Sequence, residues 1–415
     1  MPAYPGTVRS RVTRRQLAAL PSAAFAQAPA ASQPDLGNLF PMLDRYAQSR
    51  SRNLSFLDPR WKRLDGWKKE ARAEFARLLR FAPEAEPLGA ESLGVERRDG
   101  YSVERLRISA IPGHPIPAWL LVPDGGGKRP GVIAIHCHSG RYVWGHEKIL
   151  SARGDSEALL EFRDRVYGGA WAEKLVKRGV VVLVIDGHYF GEQRLRVEEM
   201  DPASAPPTFR ARLQALAAIR RDAKEWQPAV DALCSEFEHL TAKTIFASGA
   251  TWPGIHVWQD RRAVDYLCSR PEVDASRIGC AGLSIGGLRT AHLIAADPRI
   301  KAACVVGWMT EFHRQLRNHF RNHTWMVYVP GMYPSLDLPD AAALHAPGAL
   351  LVQQCSKDQL FPLDAMRSAC AKLEKIYAKA GIAERFRGSF HDLPHSFRPE
   401  MQAEAFEWLE RWLRS

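Results

Sequence analysis

The sequence predicts an α/β protein with a mostly parallel sheet and helices on both of its faces. Two compact apolar runs, 132–137 and 180–186, have the length and composition of strands that are buried on both sides. A helix-like stretch at 156–177 separates them. Buried strands that alternate with helices imply right-handed crossovers between parallel neighbours. A third strand-like run, 277–283, leads directly into the most informative motif of the chain.

That motif is Gly-Leu-Ser-Ile-Gly-Gly at 282–287, and a helical pattern follows it. A strand that turns sharply into a helix and presents a serine at the turn has this Gly-x-Ser-x-Gly form. Gly282 and Gly286 would let the strand and the helix pass closely, and free N–H groups at the helix start can meet negative charge. We therefore interpret Ser284 as a nucleophile. The alternative is a glycine-rich turn with an ordinary serine.

Composition sets the broad class. The 415 residues suffice for one large α/β domain with extra segments or for two ordinary domains, and 46% hydrophobic with 25% charged residues is typical of a globular protein. No apolar run is long enough to predict a membrane span. The net charge is +11, but the basic residues are scattered among acids. This pattern indicates a solvated surface that can attract anionic polymers, and it gives no nucleic-acid site.

The first residues resemble an export signal of the twin-arginine type. Arg14 and Arg15 precede a short apolar stretch at 17–26, which ends in Ala24-Phe25-Ala26. We predict that 1–34 comprises this signal and a disordered linker, so that the protein is exported to the periplasm or secreted. Without a functional leader, the protein would stay in the cytoplasm.

The rest of the chain divides into two parts. Residues 35–100 predict a Trp-rich helical extension packed on a catalytic domain at 101–415, which carries lid-like segments near 190–255 and 308–346. At the start of the catalytic domain, an antiparallel edge pair is expected from the alternating pattern. The members of that pair are 102–109 and 116–122. The middle of the chain predicts helices at 209–245, interrupted near Pro228, and at 257–268, after a turn at 252–254.

A serine nucleophile needs a base, and the base needs an orienting acid. On a serine elbow of this kind, the acid and the histidine follow the serine in that order along the chain. Asp358 comes directly after the strand-like run 348–354, where ligand-facing loops belong, and we predict that it is the acid. The rivals are Asp364, at the start of the next helix, and two acids of the irregular loop, Asp337 and Asp340.

Two histidines compete for the role of base. His391 lies at the end of the last strand-like run, and His395 lies in the loop directly before the closing amphipathic helix at 397–413. We favour His395. The other histidine would then be a loop residue hydrogen-bonded to backbone.

The oxyanion hole requires two N–H groups. One is expected from Ile285, which follows the nucleophile, and the other from His138, in the loop after the strand ending at Cys137. His136 and His138 share a strand face, but no carboxylate or cysteine set at ligand spacing accompanies them, so we predict no metal and no cofactor. Three further histidines belong to the irregular loop and are expected at the surface or as polar lining. They are His313, His319 and His323.

Several aromatic residues fall in loops that could flank a pocket, and aromatic faces suit sugar rings. We predict substrate contacts from Tyr142, Trp144 and Trp308, and Trp252 and Trp325 are further candidates. For any one of them, the alternative is ordinary hydrophobic packing.

With these motifs, the chain resembles the α/β-hydrolase superfamily, and specifically its bacterial dienelactone-hydrolase and acetyl-xylan-esterase-like branch. The likeness runs from about residue 102 to the C-terminus, with a weaker helical match before it. It is carried by His136-Cys137-His138-Ser139-Gly140 followed by Gly145-His146-Glu147-Lys148, by 186–191, by 282–287, by Asp358-Gln359-Leu360-Phe361, and by Pro394-His395-Ser396-Phe397 running into Met401 and Trp408.

The resemblance implies the α/β-hydrolase fold: a mostly parallel eight-stranded sheet with helices on both faces, here with an N-terminal helical extension. In that group, the histidine followed two residues later by Phe is the triad base, which agrees with His395. Cys137 stands where the esterases of the group commonly have glycine. Dienelactone hydrolases proper use cysteine as the nucleophile, so a serine favours esterase activity.

These observations lead to one hypothesis and two alternatives. The hypothesis is a cofactor-free serine carboxylester hydrolase with an acyl-enzyme intermediate, acting on acetyl or other small acyl esters, which could belong to carbohydrates. Glucuronoyl esterases carry Arg directly after the serine in their family pattern, whereas this chain has Ile285. The alternatives are a serine peptidase of the prolyl-oligopeptidase type, which would need a β-propeller, and a non-catalytic scaffold. The sequence leaves the oligomeric state open.

Overall fold

The structure is a computed structural model that describes residues 33–50 and 52–414. The predicted export signal and nearly all of the linker after it therefore lie outside the described residues. Among the helices of the described part of the chain, none combines the length and the apolar character that crossing a bilayer requires.

Nine strands of the described chain form one sheet, in the spatial order β1-β2-β3-β5-β4-β6-β7-β8-β9. The pairs β1–β2, β2–β3 and β3–β5 are antiparallel, and all the other pairs are parallel. The strands are β1 (Ala90–Arg98), β2 (Tyr101–Ile111), β3 (His114–Pro123), β4 (Arg129–Ile135), β5 (Val181–Ile185), β6 (Val273–Leu283), β7 (Ile300–Val306), β8 (Ala349–Cys355) and β9 (Phe386–His391).

This sheet has one strand more than the eight that the resemblance implies. The additional strand is β1, which lies within the segment predicted as a helical extension. It pairs only with β2, and most of its residues, including Val95, are exposed. A strand at a solvated edge does not need a continuous apolar face. Its sequence therefore lacks the alternation that marks β2.

The helices cover both faces of the sheet, as predicted. They are α1 (Phe40–Gln48), α2 (Leu64–Leu79), α3 (Glu157–Tyr167), α4 (Trp171–Val176), α5 (Pro207–Ala217), α6 (Trp226–Ala247), α7 (Trp252–Ser269), α8 (Ile285–Ala296), α9 (Phe312–Gln315), α10 (Leu338–Ala343), α11 (Leu363–Lys379) and α12 (Pro399–Arg414). Side chains of α2, α7, α8 and α11 form one apolar cluster, and side chains of α3, α4 and α12 form the other. Alternate residues of β4 divide between the clusters: Ile133 and Ile135 join the first, and Val132 and Ala134 join the second.

Helix α2 packs against α7, α8 and α10 through its apolar stripe. Trp67, Phe75 and Leu78 are buried in the first cluster. The Arg72 guanidinium donates to the carbonyls of Ala295 (2.9 Å) and Leu344 (3.0 Å), at the C-terminal ends of α8 and α10. A cation at these positions satisfies carbonyls that have no intrahelical partner.

Two helix boundaries differ from the prediction. The break in 209–245 lies between α5 and α6, and Pro228 falls in the first turn of α6, where a proline costs no intrahelical hydrogen bond. The predicted turn at 252–254 is instead the first turn of α7, because the Thr251 hydroxyl caps that helix by accepting from the N–H of Gly254 (3.0 Å).

The carboxyl ends of the parallel strands meet at one edge of the sheet. The loops that follow β4, β6, β7, β8 and β9 begin there. They carry His138, Ser284, Trp308, Asp358 and His395, respectively. In an open α/β sheet this is the edge at which ligands bind.

Candidate active site

The elbow at Ser284 links β6 to α8. The serine is the single residue between these elements, and its backbone has φ 62° and ψ −124°. A non-glycine residue with positive φ is uncommon, and such strain persists where the surroundings enforce it. One restraint is the hydrogen bond from the Ser284 N–H to the carbonyl of Val306, at 2.9 Å. The nucleophile candidate is therefore held on a rigid turn.

The glycines around the serine are required by close backbone contacts, as predicted. A Cβ at Gly282 would lie 2.6 Å from the carbonyl carbon of Gly286, and a Cβ at Gly286 would lie 2.5 Å from the carbonyl oxygen of Ile135. A Cβ at Gly287 would lie 2.5 Å from the carbonyl oxygen of Val306. Real Cβ atoms essentially never approach backbone this closely. Strand and helix can pass each other only because these positions have no side chain.

His395 and Asp358 are hydrogen-bonded. The Nδ1–H of His395 donates to Oδ2 of Asp358 at 2.5 Å, and Oδ1 of the same carboxylate accepts from the N–H of Leu360 at 2.9 Å. The Asp358 side chain is completely buried. With the hydrogen on Nδ1, the neutral imidazole presents Nε2 as an acceptor. This is the arrangement that a general base next to a nucleophile requires.

The rival residues have other partners. Nε2 of His391 lies 3.3 Å from Oε2 of Glu404, in α12. Asp364 forms an exposed ion pair with Arg314 at 2.7 Å. Asp337 and Asp340 form a capping box at the start of α10. In the described chain, none of these rivals lines the cavity that contains Ser284.

Ser284 and His395 line the same cavity, which has a volume of about 400 Å³. The Nε2 atom of His395 is buried and has no hydrogen-bond partner among the described residues, so no bond to the serine hydroxyl is formed in this structure. Catalytic hydrogen bonds often tighten only when substrate is bound. The other lining residues are His138, Ser139, Gly140, Tyr142, Ser235, Glu238, Ile285, Trp308, Arg321, Asn322, His323, Thr324 and Leu360.

Both residues predicted for the oxyanion hole are in this lining. Ile285 is the first residue of α8, where backbone N–H groups have no intrahelical acceptor. His138 begins a tight turn in which Ser139 and Gly140 have φ of 56° and 64°. The N–H of Gly140 donates to Nδ1 of His138 at 2.9 Å, so the turn is closed by the histidine's own ring.

The ring of His138 is anchored on its other side by Glu238, in α6. Because Nδ1 accepts from Gly140, the hydrogen lies on Nε2, which donates to Oε1 of Glu238 at 2.9 Å. The same carboxylate accepts from the hydroxyls of Tyr142 (2.7 Å) and Thr324 (2.8 Å). Burial alone would raise the pKa of Glu238, but the hydrogen bonds that its carboxylate accepts from His138, Tyr142 and Thr324 lower this pKa below its usual value. Glu238 could not be predicted as a site residue, since nothing in the sequence of α6 distinguishes it.

His136 and His138 do not converge on a metal. The buried His136 ring donates from Nδ1 to the carbonyl of Cys137 (3.0 Å) and accepts at Nε2 from the N–H of Gly187 (3.1 Å). Both ring nitrogens of His138 are likewise used by protein groups. These two histidines are structural in this arrangement, and neither has a free ligand atom.

A different trio, His146, Glu147 and Asp186, has ligand atoms within 4.8 Å of one another. Asp186 accepts from both the backbone N–H and Nδ1 of His146, at 2.7 and 3.0 Å, and from the N–H of Glu192 at 2.8 Å. Burial disfavours a charge on His146, but the attraction to Asp186 and Glu147 outweighs it and raises the pKa of the ring. The hydrogen bond between the imidazole of His146 and the carboxylate of Asp186 holds two of the three groups together.

Only some of the aromatic residues that were predicted to contact substrate line the cavity. Tyr142 and Trp308 line the cavity. Trp144 does not: it is buried in the second apolar cluster, where its ring packs against Phe162 with centroids 5.6 Å apart. Its predicted contact with substrate is therefore replaced by a packing role. Trp252 is completely buried.

Of the loop histidines, His323 reaches the cavity. Its ring stacks on Phe361 and meets Trp308 edge-on, with centroids 5.0 and 5.3 Å apart, and Nε2 bonds to Oε1 of Gln315 at 3.0 Å. Burial lowers the pKa of His323 to about 4. The ring is therefore neutral near pH 7 and acts as polar lining, one of the two roles predicted for these histidines.

Comparisons with known proteins agree with this architecture. No protein-family model matches the chain. YtaP of Bacillus subtilis (strain 168), which has a provisional name as a hydrolase, is 26% identical over 346 residues, covering 83% of this chain and 99% of its own. A Bacteroides fragilis structure provisionally called an acetyl xylan esterase has a TM-score of 0.61 at 14% identity, covering 85% of this chain and 81% of its own. The structure of a glucuronoyl esterase from Solibacter usitatus has a TM-score of 0.56 at 15% identity, and the match covers 84% of this chain and 94% of that one.

Proposed function

We propose that this chain, which has the α/β-hydrolase fold, is a serine carboxylic ester hydrolase with Ser284, His395 and Asp358 as its triad. One observation carries the proposal. The imidazole of His395 is oriented by Asp358 and leaves Nε2 unpaired at the cavity that contains Ser284. A buried nitrogen without a partner is costly unless a ligand or a reacting group uses it.

In the first half-reaction, Oγ of Ser284 attacks the ester carbonyl while Nε2 of His395 takes the hydroxyl proton. Asp358 stabilises the imidazolium that forms and keeps its tautomer. The carbonyl oxygen becomes negatively charged, and the N–H groups of Ile285 and His138 donate to it. The tetrahedral intermediate then expels the alcohol, which takes the proton from His395, and an acyl-Ser284 ester remains.

In the second half-reaction, water replaces the alcohol. His395 takes a proton from the water, and the resulting hydroxide attacks the acyl carbonyl within the same oxyanion hole. Collapse of this second intermediate releases the carboxylic acid and returns the proton to Oγ of Ser284. The reaction involves no change of oxidation state, and water is the only co-substrate that it consumes.

We assign the substrates as acetyl or other small acyl esters, including those of carbohydrates. A cavity of about 400 Å³ is of the size that holds a small molecule. Trp308 and Tyr142 supply aromatic lining, which suits the faces of sugar rings. The names of the structural neighbours favour carbohydrate esters. Export through the twin-arginine-type leader would bring the enzyme to such polymers, and remains part of the proposal.

The test is turnover of p-nitrophenyl acetate, acetylated xylo-oligosaccharides and a methyl glucuronate ester by the wild type and by Ser284→Ala. We expect hydrolysis of the acetyl esters and a loss of about 10⁴-fold or more in Ser284→Ala. Turnover of the methyl glucuronate alone would reassign the substrate class. Equal turnover by the two proteins would overturn the nucleophile.

A further inference from the structure

Lys148 is completely buried directly beneath the proposed oxyanion loop. It ends a short turn, His146–Lys148, that lies outside the proposed triad and hole. Its ammonium donates to the carbonyls of Cys137 (2.8 Å) and His138 (3.0 Å) and lies 4.5 Å from the ring centroid of Phe190. No carboxylate of the described chain lies within ion-pair distance of it. Lysine is almost never completely buried unless it is paired, so this arrangement calls for an explanation.

The two carbonyls that Lys148 holds belong to the loop that bears the proposed oxyanion donor. In a trans peptide, the carbonyl of one residue and the N–H of the next point in opposite directions from one rigid plane. The bond to the Cys137 carbonyl therefore fixes the direction of the His138 N–H, which points away from the lysine. The bond to the His138 carbonyl fixes the next plane in the same way, ahead of the positive φ of Ser139.

The charge of Lys148 acts on the same amide. A cation bonded to a carbonyl oxygen draws electron density from that peptide and makes its N–H a stronger donor, as in a chain of cooperative hydrogen bonds. Solvent screens the effect only weakly, because Lys148 and Cys137 are both completely buried. An oxyanion bound by the His138 N–H would thus be stabilised by a full charge one peptide away.

We propose that Lys148 is a positioning residue for the oxyanion hole, which orients and polarises the His138 N–H without touching substrate. This inference rests on the proposed function. It predicts that the lysine matters for the transition state and not for binding of the ester, whose neutral carbonyl attracts the N–H much more weakly.

The charged form of Lys148 is set by its neighbours. Burial lowers its pKa to about 8, against the attraction of Asp231, Glu147 and Asp186. His136 also faces it, and burial holds the pKa of this ring well below its usual value, so that it carries no charge near pH 7. The charge on Lys148 is therefore present at neutral pH and is lost in mildly alkaline solution.

The experiment compares Lys148→Met and Lys148→Gln with Lys174→Met. Lys174 is a matched control because its ammonium also donates to a carbonyl, that of Gly168 (2.7 Å), but it lies outside the cavity lining. For each full-length protein, kcat and KM for p-nitrophenyl acetate are measured together with the inhibition constant of a trifluoromethyl ketone, whose adduct with serine carries an oxyanion. Circular dichroism verifies folding.

We expect kcat to fall about 10- to 100-fold in both Lys148 variants, with KM within about threefold, because one oxyanion-hole donor is weakened and not removed. Affinity for the ketone should fall by the same factor, and Lys174→Met should match the wild type. Equal kinetics and equal ketone affinity in Lys148→Met and Lys174→Met would overturn the inference.

If neither Lys148 variant folds, the wild-type pH profile decides. Loss of kcat above about pH 8, with unchanged circular dichroism, would support the role, and constant kcat up to about pH 10 would refute it. Failure of the proposed function looks different: Ser284→Ala would then be as active as the wild type, and the inference would fall with it.

Discussion

Nδ1 of His395 and Oδ2 of Asp358 lie 2.5 Å apart, although 37 residues separate them in the chain. The contact exists because β8 and β9 are parallel neighbours, so the loops that follow them start side by side. Asp358 is held in turn by the N–H of Leu360, and its side chain is closed to solvent. The pair therefore fixes both the tautomer and the direction of the imidazole.

Replacing Asp358 by Asn should remove the tautomer control and leave the shape of the site intact. An amide N–H facing Nδ1 would favour the hydrogen on Nε2, where it cannot accept the serine proton. We expect kcat to fall about 10³- to 10⁴-fold with little change in KM. Steady-state kinetics with p-nitrophenyl acetate would show this, and a variant within about tenfold of the wild type would contradict the role of Asp358.

The two candidate histidines can be separated with one pair of variants. His395→Gln should lose about 10³-fold or more in kcat, because the other basic groups of the cavity lining, on His138, Glu238 and His323, are already hydrogen-bonded to protein partners. His391→Gln should keep most of the activity, since its ring contacts Glu404 on α12 and lies away from the cavity. The reverse pattern would identify His391 as the base.

The glycine at the elbow gives a prediction about stability. Gly286→Ala would place a Cβ 2.5 Å from the carbonyl oxygen of Ile135, so we expect the free energy of unfolding to drop by about 1–3 kcal/mol or more, as for other overpacked sites. Gly66→Ala is the matched control, because no atom lies within 4 Å of its Cβ position in α2. It should be neutral or stabilise by up to about 1 kcal/mol.

Urea denaturation of the two glycine variants checks this difference. Equal unfolding free energies for Gly286→Ala and the wild type would mean that the elbow can relax, which the close contacts with the backbone of Ile135 and His136 argue against.

Asp337 should make stability depend on pH. Burial raises its pKa to about 6 in the folded protein, above the value of 3.8 for an exposed aspartate. The folded state therefore binds this proton more readily than the unfolded state, and the associated stability is present at low pH and lost as pH rises through about 6. Asp337→Asn retains a side-chain oxygen for the cap of α10 and has no charge.

The melting temperature of Asp337→Asn relative to the wild type should accordingly be higher at about pH 7 than at about pH 4.5. Thermal denaturation at the two pH values measures the difference. If the difference in melting temperature between Asp337→Asn and the wild type were the same at both pH values, Asp337 would not titrate in this range.

The elbow could be predicted from sequence because its requirements are local. The strand, the serine and the two glycines, Gly282 and Gly286, lie within a few residues of one another in the sequence. The close backbone contacts at both glycines agree with the predicted turn. The buried parallel strands could also be predicted, since each is a compact apolar run. The pairing of Asp358 with His395 could be predicted because the two residues follow consecutive strands.

Other features could not be predicted, because they depend on contacts between distant segments. Glu238 reaches His138 from the middle of a helix, and Lys148 reaches the carbonyls of the same loop from a turn. Strand β1 carries no apolar alternation to reveal it. The prediction that Trp144 contacts substrate failed for a related reason. A tryptophan in a loop has the same local sequence whether it faces a cavity or, as here, packs on Phe162.

The most direct test of the central claim is to treat the full-length protein with a fluorophosphonate and to locate the modified residue by peptide mass mapping. The account predicts about one label per chain, on Ser284, with labelling slowed strongly in His395→Gln because the base activates the hydroxyl. A label on any other residue, or an unlabelled Ser284 in the folded wild type, would contradict it.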